Sequence, residues 1–197
     1  LNRASKRCVD IIISLFIIVF VMPVLVLFVW LVQRFKSPGP VFYRQMRHGL
    51  DRKTFSILKF RTMNCTTESE STQATVGDPR IYPLGRLLRH FSLDEFPQFF
   101  NVLRGDMSVI GPRPHLTVHD DLFEKEVSVY RIRYFVKPGI TGYAHIRGLR
   151  GEVTSPQQIH QRGRNDIYYL SNWSLKVDLY IICKTIATLL RPPDSAG

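Results

Sequence analysis

Cysteine is scarce in this 197-residue chain, and Cys8, Cys65 and Cys183 are odd in number, widely spaced and form no C-x-x-C pair. That excludes a disulfide framework and a zinc ribbon, and it points to free thiols in a reducing compartment. Acidic residues are also few, 16 Asp+Glu against 27 Lys+Arg, which leaves a net charge of +11. Internal repeats are absent. With 45% hydrophobic and 22% charged residues, a disordered or low-complexity protein is excluded. The length suits one domain with an appendage, and it is enough to bury a core.

Charge is missing altogether from Ile11 to Val32, a run of 22 residues interrupted only by Ser14 and Pro23. As a helix this run is roughly 33 Å long, enough to cross a bilayer core. No small-residue cleavage site follows it; Gln33-Arg34-Phe35-Lys36 does, which disfavours a secretory signal. Phe16, Phe20, Phe28 and Trp30 point all round the helix, so a buried soluble helix fits poorly. Arg3, Lys6 and Arg7 precede the run while Arg34 and Lys36 follow it, so the positive-inside rule assigns no direction. Pro23 at its midpoint removes a helical hydrogen bond. A re-entrant hairpin and a proline-kinked spanning helix both fit these residues.

Basic charge concentrates next. Arg34 to Met63 holds eight Lys/Arg and one acid, Asp51. Such a juxtamembrane cluster suits anionic lipid or a phosphorylated substrate. Nucleic acid is not expected, because the chain opens in a membrane segment and carries no nucleic-acid motif. Ser37-Pro38-Gly39-Pro40 reads as a rigid turn, and Val41–Tyr43 with Thr54–Phe60 as a short β-hairpin closed at residues 48–52. Residues 64–77 are polar and aperiodic, a candidate mobile loop. Helices are expected over Ile81–His90, about Glu95–Arg104 (ended by Gly105), Val118–Phe135, Gln157–Leu170 and Leu175–Leu190, with a turn at Lys137–Gly142. The fold class is therefore mainly α with a small β-hairpin (α+β).

The chemistry is easiest to place at Ser92-Leu93-Asp94-Glu95-Phe96-Pro97. Pro97 is tolerated only in a first helical turn, so the helix should start at about Asp94 to Phe96. One reading is structural, with Ser92-x-x-Glu95 as a capping box. The other is functional. Arg86, Arg89, His90, Arg104 and the Pro-Arg-Pro frame around Arg113 surround the two carboxylates, with Lys59, Arg61 and Arg147 as further cations. Two acids among many cations suit phosphoryl chemistry with a divalent metal: guanidiniums neutralise phosphate oxygens, and a carboxylate serves as nucleophile or metal ligand.

These motifs resemble the bacterial sugar transferase family, the monotopic phosphoglycosyl transferases. The matching segments, in order, include Lys6-Arg7 with Asp10, Ser37-Pro38-Gly39-Pro40-Val41-Phe42-Tyr43-Arg44-Gln45, Leu58-Lys59-Phe60-Arg61-Thr62-Met63, Asp78-Pro79-Arg80-Ile81 and Gly85-Arg86-Leu87-Leu88-Arg89. They continue through Ser92-Leu93-Asp94-Glu95-Phe96-Pro97-Gln98, Asn101 to Ser108, Gly111-Pro112-Arg113-Pro114, Lys137 to Gly142 and Asn172-Trp173-Ser174, covering nearly the whole chain.

The resemblance implies a re-entrant membrane helix broken at Pro23 over residues 1–36 and a cytosol-facing catalytic domain over 37–197; independently of it, composition suggests an interfacial helix at about 174–190. It implies ping-pong transfer of a sugar-1-phosphate from a UDP-sugar to polyprenol phosphate, with Mg2+ and release of UMP. Asp94 would be the nucleophile, Glu95 would assist with metal or proton handling, and both would be metal ligands. Lys59, Arg61, Arg89, Arg113 and Arg147 would contact phosphates. The expected location is the bacterial inner membrane, cytoplasmic face, with a homodimer an admissible assembly. Met22 stands where serine often precedes the proline, and Tyr143 and His145 where Trp and Gln are frequent. Gly148-Leu149-Arg150-Gly151-Glu152 looks like larger members that transfer glucose- or galactose-1-phosphate, so a catalytic fragment of such a protein is expected. A non-catalytic lipid-bound scaffold and a membrane hydrolase of nucleotide sugars are the competing functions. The C-terminal helix, mixing Leu175, Leu179, Tyr180 and Ile186 with Lys176 and Lys184, suits either an interface or the domain core.

Overall fold

A computed structural model describes residues 3–64, 75, 77–126, 128–149 and 155–191. The uncharged segment forms its longest element. Helix α1 (Arg3–Phe16) passes through one wide π turn (Ile17–Val21) into α2 (Met22–Lys36), so the helix is continuous over Arg3–Lys36. Pro23 has no N–H to contribute. The turn ahead of it widens instead, with the Met22 N–H donating to the Ile17 carbonyl, and the expected break becomes a local change of pitch. Ile12, Phe16, Phe20, Val24, Leu27 and Phe35 are exposed, while Met22 and Val29 are buried against the rest of the chain. The helix is long and apolar enough to cross a membrane.

Both ends of this helix are fastened to the same body of structure. Near its start, Arg7 donates to the carbonyls of Val102 (2.6 Å) and Leu103 (2.7 Å), and Asp10 accepts from the Val109 N–H and the Ser108 hydroxyl, each at 2.9 Å. Lys6 pairs with Asp178 at 2.8 Å, where Tyr169 and Trp173 also donate. Near its end, the Gln33 amide donates to the Arg61 carbonyl (3.1 Å) and the Tyr82 hydroxyl (2.6 Å).

Beyond the Ser37–Pro40 turn, β1 (Phe42–His48) pairs antiparallel with β2 (Thr54–Phe60), with Phe42 opposite Phe60 and His48 opposite Thr54. Period-two alternation turns Phe55 and Ile57 inward. Helices α3 (Pro83–His90) and α4 (Gln98–Arg104) follow, and α4 ends at Gly105, whose φ of +94° is the left-handed conformation that glycine takes most readily. Phe55, Ile57, Phe99, Val102, Met107 and Ile181 make one core cluster. Met22, Val29, Phe60, Leu84 and Leu88 make a second, built jointly by the N-terminal helix and the domain. The hairpin and the helices over 83–90, 156–171 and 175–190 agree with the sequence reading.

Two expectations are corrected. Lys137–Gly142 is not only a turn: β4 (Gly139–Thr141) pairs in parallel with β3 (Ser108–Ile110). A Cβ on Gly139 would lie 2.1 Å from the Gly111 nitrogen, so glycine here permits backbone contact that no three-residue apolar run announces. Val118–Phe135 is not one helix: α5 (Thr117–Glu126) gives way to a 3-10 stretch (Ser128–Phe135). The tighter winding aligns residues three apart. It sets the Arg133 guanidinium 4.7 Å from the Tyr130 ring centroid, and Tyr130 donates to Asp120 at 2.5 Å.

The remaining helices are α6 (Tyr143–Ile146), α7 (Pro156–Ser171) and α8 (Leu175–Leu190). Helix α8 is capped by Ser174, buries Asp178 and Ile181, and leaves Leu175, Leu179, Tyr180, Ile186 and Leu190 exposed. It thus packs on the core by one stripe and presents an apolar remainder outward. The juxtamembrane basic cluster also divides: Arg34, Lys36, Arg44 and Lys53 are exposed, whereas Arg47, Lys59 and Arg61 turn inward and Arg52 pairs with Asp121. The candidate loop at 64–77 falls mostly outside the described residues, as do Cys65 and Arg150–Glu152.

Asp10→Ala should destabilise the fold by about 1–3 kcal/mol, since the Val109 N–H is left buried without its acceptor. Asp10→Asn, which keeps an acceptor oxygen, should cost less. Thermal unfolding of the detergent-solubilised variants checks the order.

Candidate functional site

The two adjacent carboxylates sit on a single 3-10 turn, Leu93–Glu95, between α3 and α4. Ser92, just before it, is left-handed (φ 53°) and its hydroxyl caps nothing, so the capping box does not form. The first turn of α4 is delayed to Gln98, because Pro97 sits at its N-cap position. Freed from capping, Glu95 points into the domain. It is 7% exposed and is held by two cations. Lys59 on β2 lies 3.0 Å from its Oε1, and Arg113 grips it in bidentate fashion, with Nη1 2.7 Å from Oε2 and Nη2 on Oε1. Burial alone would raise the Glu95 carboxyl, but Arg113 and Lys59 outweigh it and hold it well below the usual carboxylate range.

Asp94 is the contrasting partner. It is half-buried, and among the described residues its carboxylate takes part in no hydrogen bond or ion pair. Burial pushes it up to about 6, opposed mainly by Lys59 and supported by the negative charge of Glu95. Two neighbouring carboxylates thus divide their roles by environment: one is locked as an anion by cations, the other is left available near neutral pH. Burial lowers Lys59, with Glu95 opposing.

The cations proposed from sequence separate on inspection. Lys59 and Arg113 meet at Glu95. Arg89, at the end of α3, donates from Nε to the Thr62 hydroxyl at 2.9 Å, and its charge acts on Asp94. Arg147 is exposed, lies 5.9 Å from the Tyr143 ring centroid, and makes no hydrogen bond or ion pair with either carboxylate among the described residues. Arg61 is elsewhere. Only 4% exposed, it donates to the carbonyls of Pro40 (2.8 Å), Met63 (3.3 Å) and Ser37 and to the Ser37 hydroxyl (3.0 Å), and it lies against the Tyr82 ring. It clamps the turn leaving the N-terminal helix, so the expected phosphate contact is corrected to a structural one.

Two residues that the sequence reading did not place at the site, Arg47 and His145, act there. Arg47, on β1, lies in the fields of Arg113 and Glu95; burial, then Arg113, lowers it to about 10. His145 likewise acts on Glu95. A charge run and a family departure were the only signals for them. Behind Arg113 stands Arg133, which donates to the Arg113 backbone carbonyl, to Tyr130 at 2.5 Å, and pairs with Asp166 at 3.4 Å.

Glu95 has little capacity left for a metal, since both oxygens are occupied by cations. Among the described residues no group of three or more His, Cys, Asp or Glu side chains could hold one. Asp94 alone remains as a donor, which fits Mg2+ only in the manner of a phosphate-borne ion, held by one carboxylate, waters and substrate oxygens.

The family model described as bacterial sugar transferase matches residues 1–192. The chain belongs to that family. It is 44% identical over 186 residues to the UDP-glucose:undecaprenyl-phosphate glucose-1-phosphate transferase of Caulobacter vibrioides, covering 94% of this chain and 69% of the relative. Against the Escherichia coli protein of the same description the identity is 42%, covering 94% of this chain and 40% of that one. The exopolysaccharide production protein PSS of Rhizobium leguminosarum bv. phaseoli is 40% identical, with 96% and 97% coverage. The chain therefore spans less than half of some sugar transferase relatives and nearly all of another.

Any step that needs ionised Asp94 should accelerate with pH along a limb near 6, read from a pH–rate profile. The folded-state value exceeds the ordinary 3.8, so the folded form holds more protons between the two, and this group's contribution to stability falls as pH rises through that window. Arg61→Lys should lower the unfolding free energy by about 1.5–3 kcal/mol through lost guanidinium hydrogen bonds while leaving substrate KM unchanged. Calorimetry beside steady-state kinetics checks both halves.

Proposed function

We propose that this sugar transferase moves a sugar-1-phosphate from a UDP-sugar to undecaprenyl phosphate in two displacements through Asp94. The observation that carries the reading is the asymmetric carboxylate pair: Asp94 is available, and Glu95 is bound by Arg113 and Lys59. The relatives' names supply the substrate classes, with UDP-glucose the first donor to test.

In the first displacement an Asp94 oxygen forms a bond to the β-phosphorus, and the bond from that phosphorus to the bridging oxygen breaks. UMP leaves with the electron pair, and a phosphosugar–aspartyl ester remains. In the second, an oxygen of undecaprenyl phosphate attacks the same phosphorus and Asp94 departs as its carboxylate. Covalent storage lets a soluble donor and a membrane acceptor use one small site in turn. Arg89 and Lys59 flank Asp94 and neutralise phosphate oxygens. Arg113, immobilised on Glu95, presents its remaining edge as a fixed positive charge. Glu95 acts by holding those cations in place rather than by ligating metal. Mg2+, held through Asp94 and the diphosphate, would supply further charge neutralisation. Arg147, on the exposed side of Tyr143, is a candidate for the sugar-phosphate end.

The N-terminal helix is read here as re-entrant in the cytoplasmic membrane. Support comes from Arg7 and Gln33, which tie its two ends to one domain and so to one side of a bilayer. The bare faces of that helix and of α8, with the exposed Arg34 and Lys36, suit an anionic lipid surface on the cytoplasmic side. Exposed Cys8 and Cys183 accord with a reducing compartment.

Asp94→Asn should reduce UMP release from UDP-glucose on the order of 10³-fold or more. Intact-mass measurement of the wild type without acceptor should show a phosphosugar adduct that undecaprenyl phosphate discharges. Unchanged release in the variant would remove Asp94 from the mechanism and favour a scaffold role for it. Release that never depends on undecaprenyl phosphate for turnover would favour a hydrolase.

A further inference from the structure

Arg89 is held at one edge only. Its Nε donates to the Thr62 hydroxyl at 2.9 Å, and among the described residues neither of its Nη atoms takes part in a hydrogen bond or ion pair. A guanidinium can meet a phosphate side-on, through Nε and one Nη, or end-on, through both Nη atoms. Thr62 occupies the first of these edges and leaves the second open. The charge so held acts on Asp94.

Thr62 is itself a fixed point. It is 6% exposed and lies two residues past the end of β2. The carbonyl of Arg61, just before it, accepts from the Gln33 amide at 3.1 Å and from the Tyr82 hydroxyl, and Met63, just after it, bridges to Ile81. Helix α3 comes into backbone contact with it: a Cβ on Gly85 would lie 2.1 Å from the Thr62 carbonyl oxygen. Gly85 and Arg89 are one helical turn apart on α3, so the close approach at the first brings the second to the Thr62 side chain.

Of the three cations acting on Asp94, Lys59 and Arg113 are paired with Glu95. Arg89 has a neutral hydroxyl for its anchor instead, and among the described residues no carboxylate pairs with it. An unheld arginine samples many rotamers, and that freedom is lost when a phosphate arrives. Held by Nε, the guanidinium has its plane and its open end set beforehand. We infer that Thr62 is a positioning residue, whose hydroxyl fixes Arg89 so that both Nη atoms are presented to the phosphate attacked by Asp94. This rests on the proposed two-displacement transfer. Thr62 acts through Arg89 and makes no bond to the reacting atoms.

The test uses the full chain in nanodiscs, with UDP-glucose and undecaprenyl phosphate as substrates and UMP release as the readout. Thr62→Val keeps the shape and removes the hydroxyl. In a variant with wild-type melting temperature it should lower kcat/KM for UDP-glucose about tenfold or more. Thr62→Ser should recover most of that loss. Arg89→Gln should be strongly impaired, and adding Thr62→Val to it should cost nothing further, because the hydroxyl then has no guanidinium to hold. Of the charges acting on Asp94 (Lys59, Glu95, Arg89 and Arg113), only Arg89 loses its seat in Thr62→Val, so the acid limb of the pH–rate profile should move up. Losses that multiply in the double variant, an undisplaced limb, or wild-type kinetics in Thr62→Val would each overturn the inference. If Thr62→Val does not fold, Thr62→Ala carries the same cycle. Asp94→Asn separates the two proposals. Wild-type UMP release there would sink the two-displacement reading and leave the cycle to decide Thr62, whereas an inert Asp94→Asn beside multiplying losses would sink only the positioning role.

Discussion

The bidentate grip of Arg113 on Glu95, completed by Lys59, is the interaction on which the site depends. It joins three parts of the chain that are distant in sequence: the hairpin strand β2, the 3-10 turn and the loop after β3. A buried carboxylate of this kind is tolerable only when its charge is matched and its lone pairs are satisfied. Removing either cation would leave a charge stranded in the domain. The requirement that Glu95 be matched therefore fixes the position of Asp94 beside it, which is the group left available for chemistry. Arg113 is in turn seated by Arg133 on its backbone carbonyl, so the 3-10 stretch behind it belongs to the same network.

A second constraint governs the N-terminal helix. Its apolar surface favours a membrane, yet Arg7, Asp10 and Gln33 bind it to the domain by buried polar contacts, and Met22 and Val29 enter a shared core. The helix is therefore part of the domain's packing as well as an apolar segment long enough to cross a membrane. Arg61 belongs to this system. Its hydrogen bonds to the Ser37–Pro40 turn secure the point where the chain leaves the helix, and Lys59, two residues earlier on the same strand, reaches Glu95. The N-terminal helix and the site are thus connected through one short strand.

Much of this was legible in the residues. Long periodic or uniform segments such as Leu175–Leu190, and the hairpin punctuated at 48–52, carry strong local signals and took the expected form, while Ile11–Val32 is helical as its composition implies but runs on through Pro23 by a π turn. Short, non-local features did not. The parallel pairing of Ser108–Ile110 with Gly139–Thr141 depends on glycine-permitted backbone contact. The division of Val118–Phe135 into two helices depends on Tyr130 and Arg133 finding Asp120 and Asp166. Neither leaves a local pattern.

By itself the sequence determined the kinds of group present: an uncharged helix of membrane length, an adjacent acid pair before a proline, and an excess of cations around them. Tertiary structure alone decided what each cation does. Arg61 and Arg113 are alike as residues, but a buried guanidinium takes whatever acceptors its burial provides. Backbone carbonyls surround the first, and a carboxylate faces the second. Likewise the difference between Asp94 and Glu95 is absent from their order in the chain. It arises because a turn brings one side chain into hydrogen-bond contact with two cations and leaves its neighbour half-buried, within their field but without a hydrogen bond or ion pair to them.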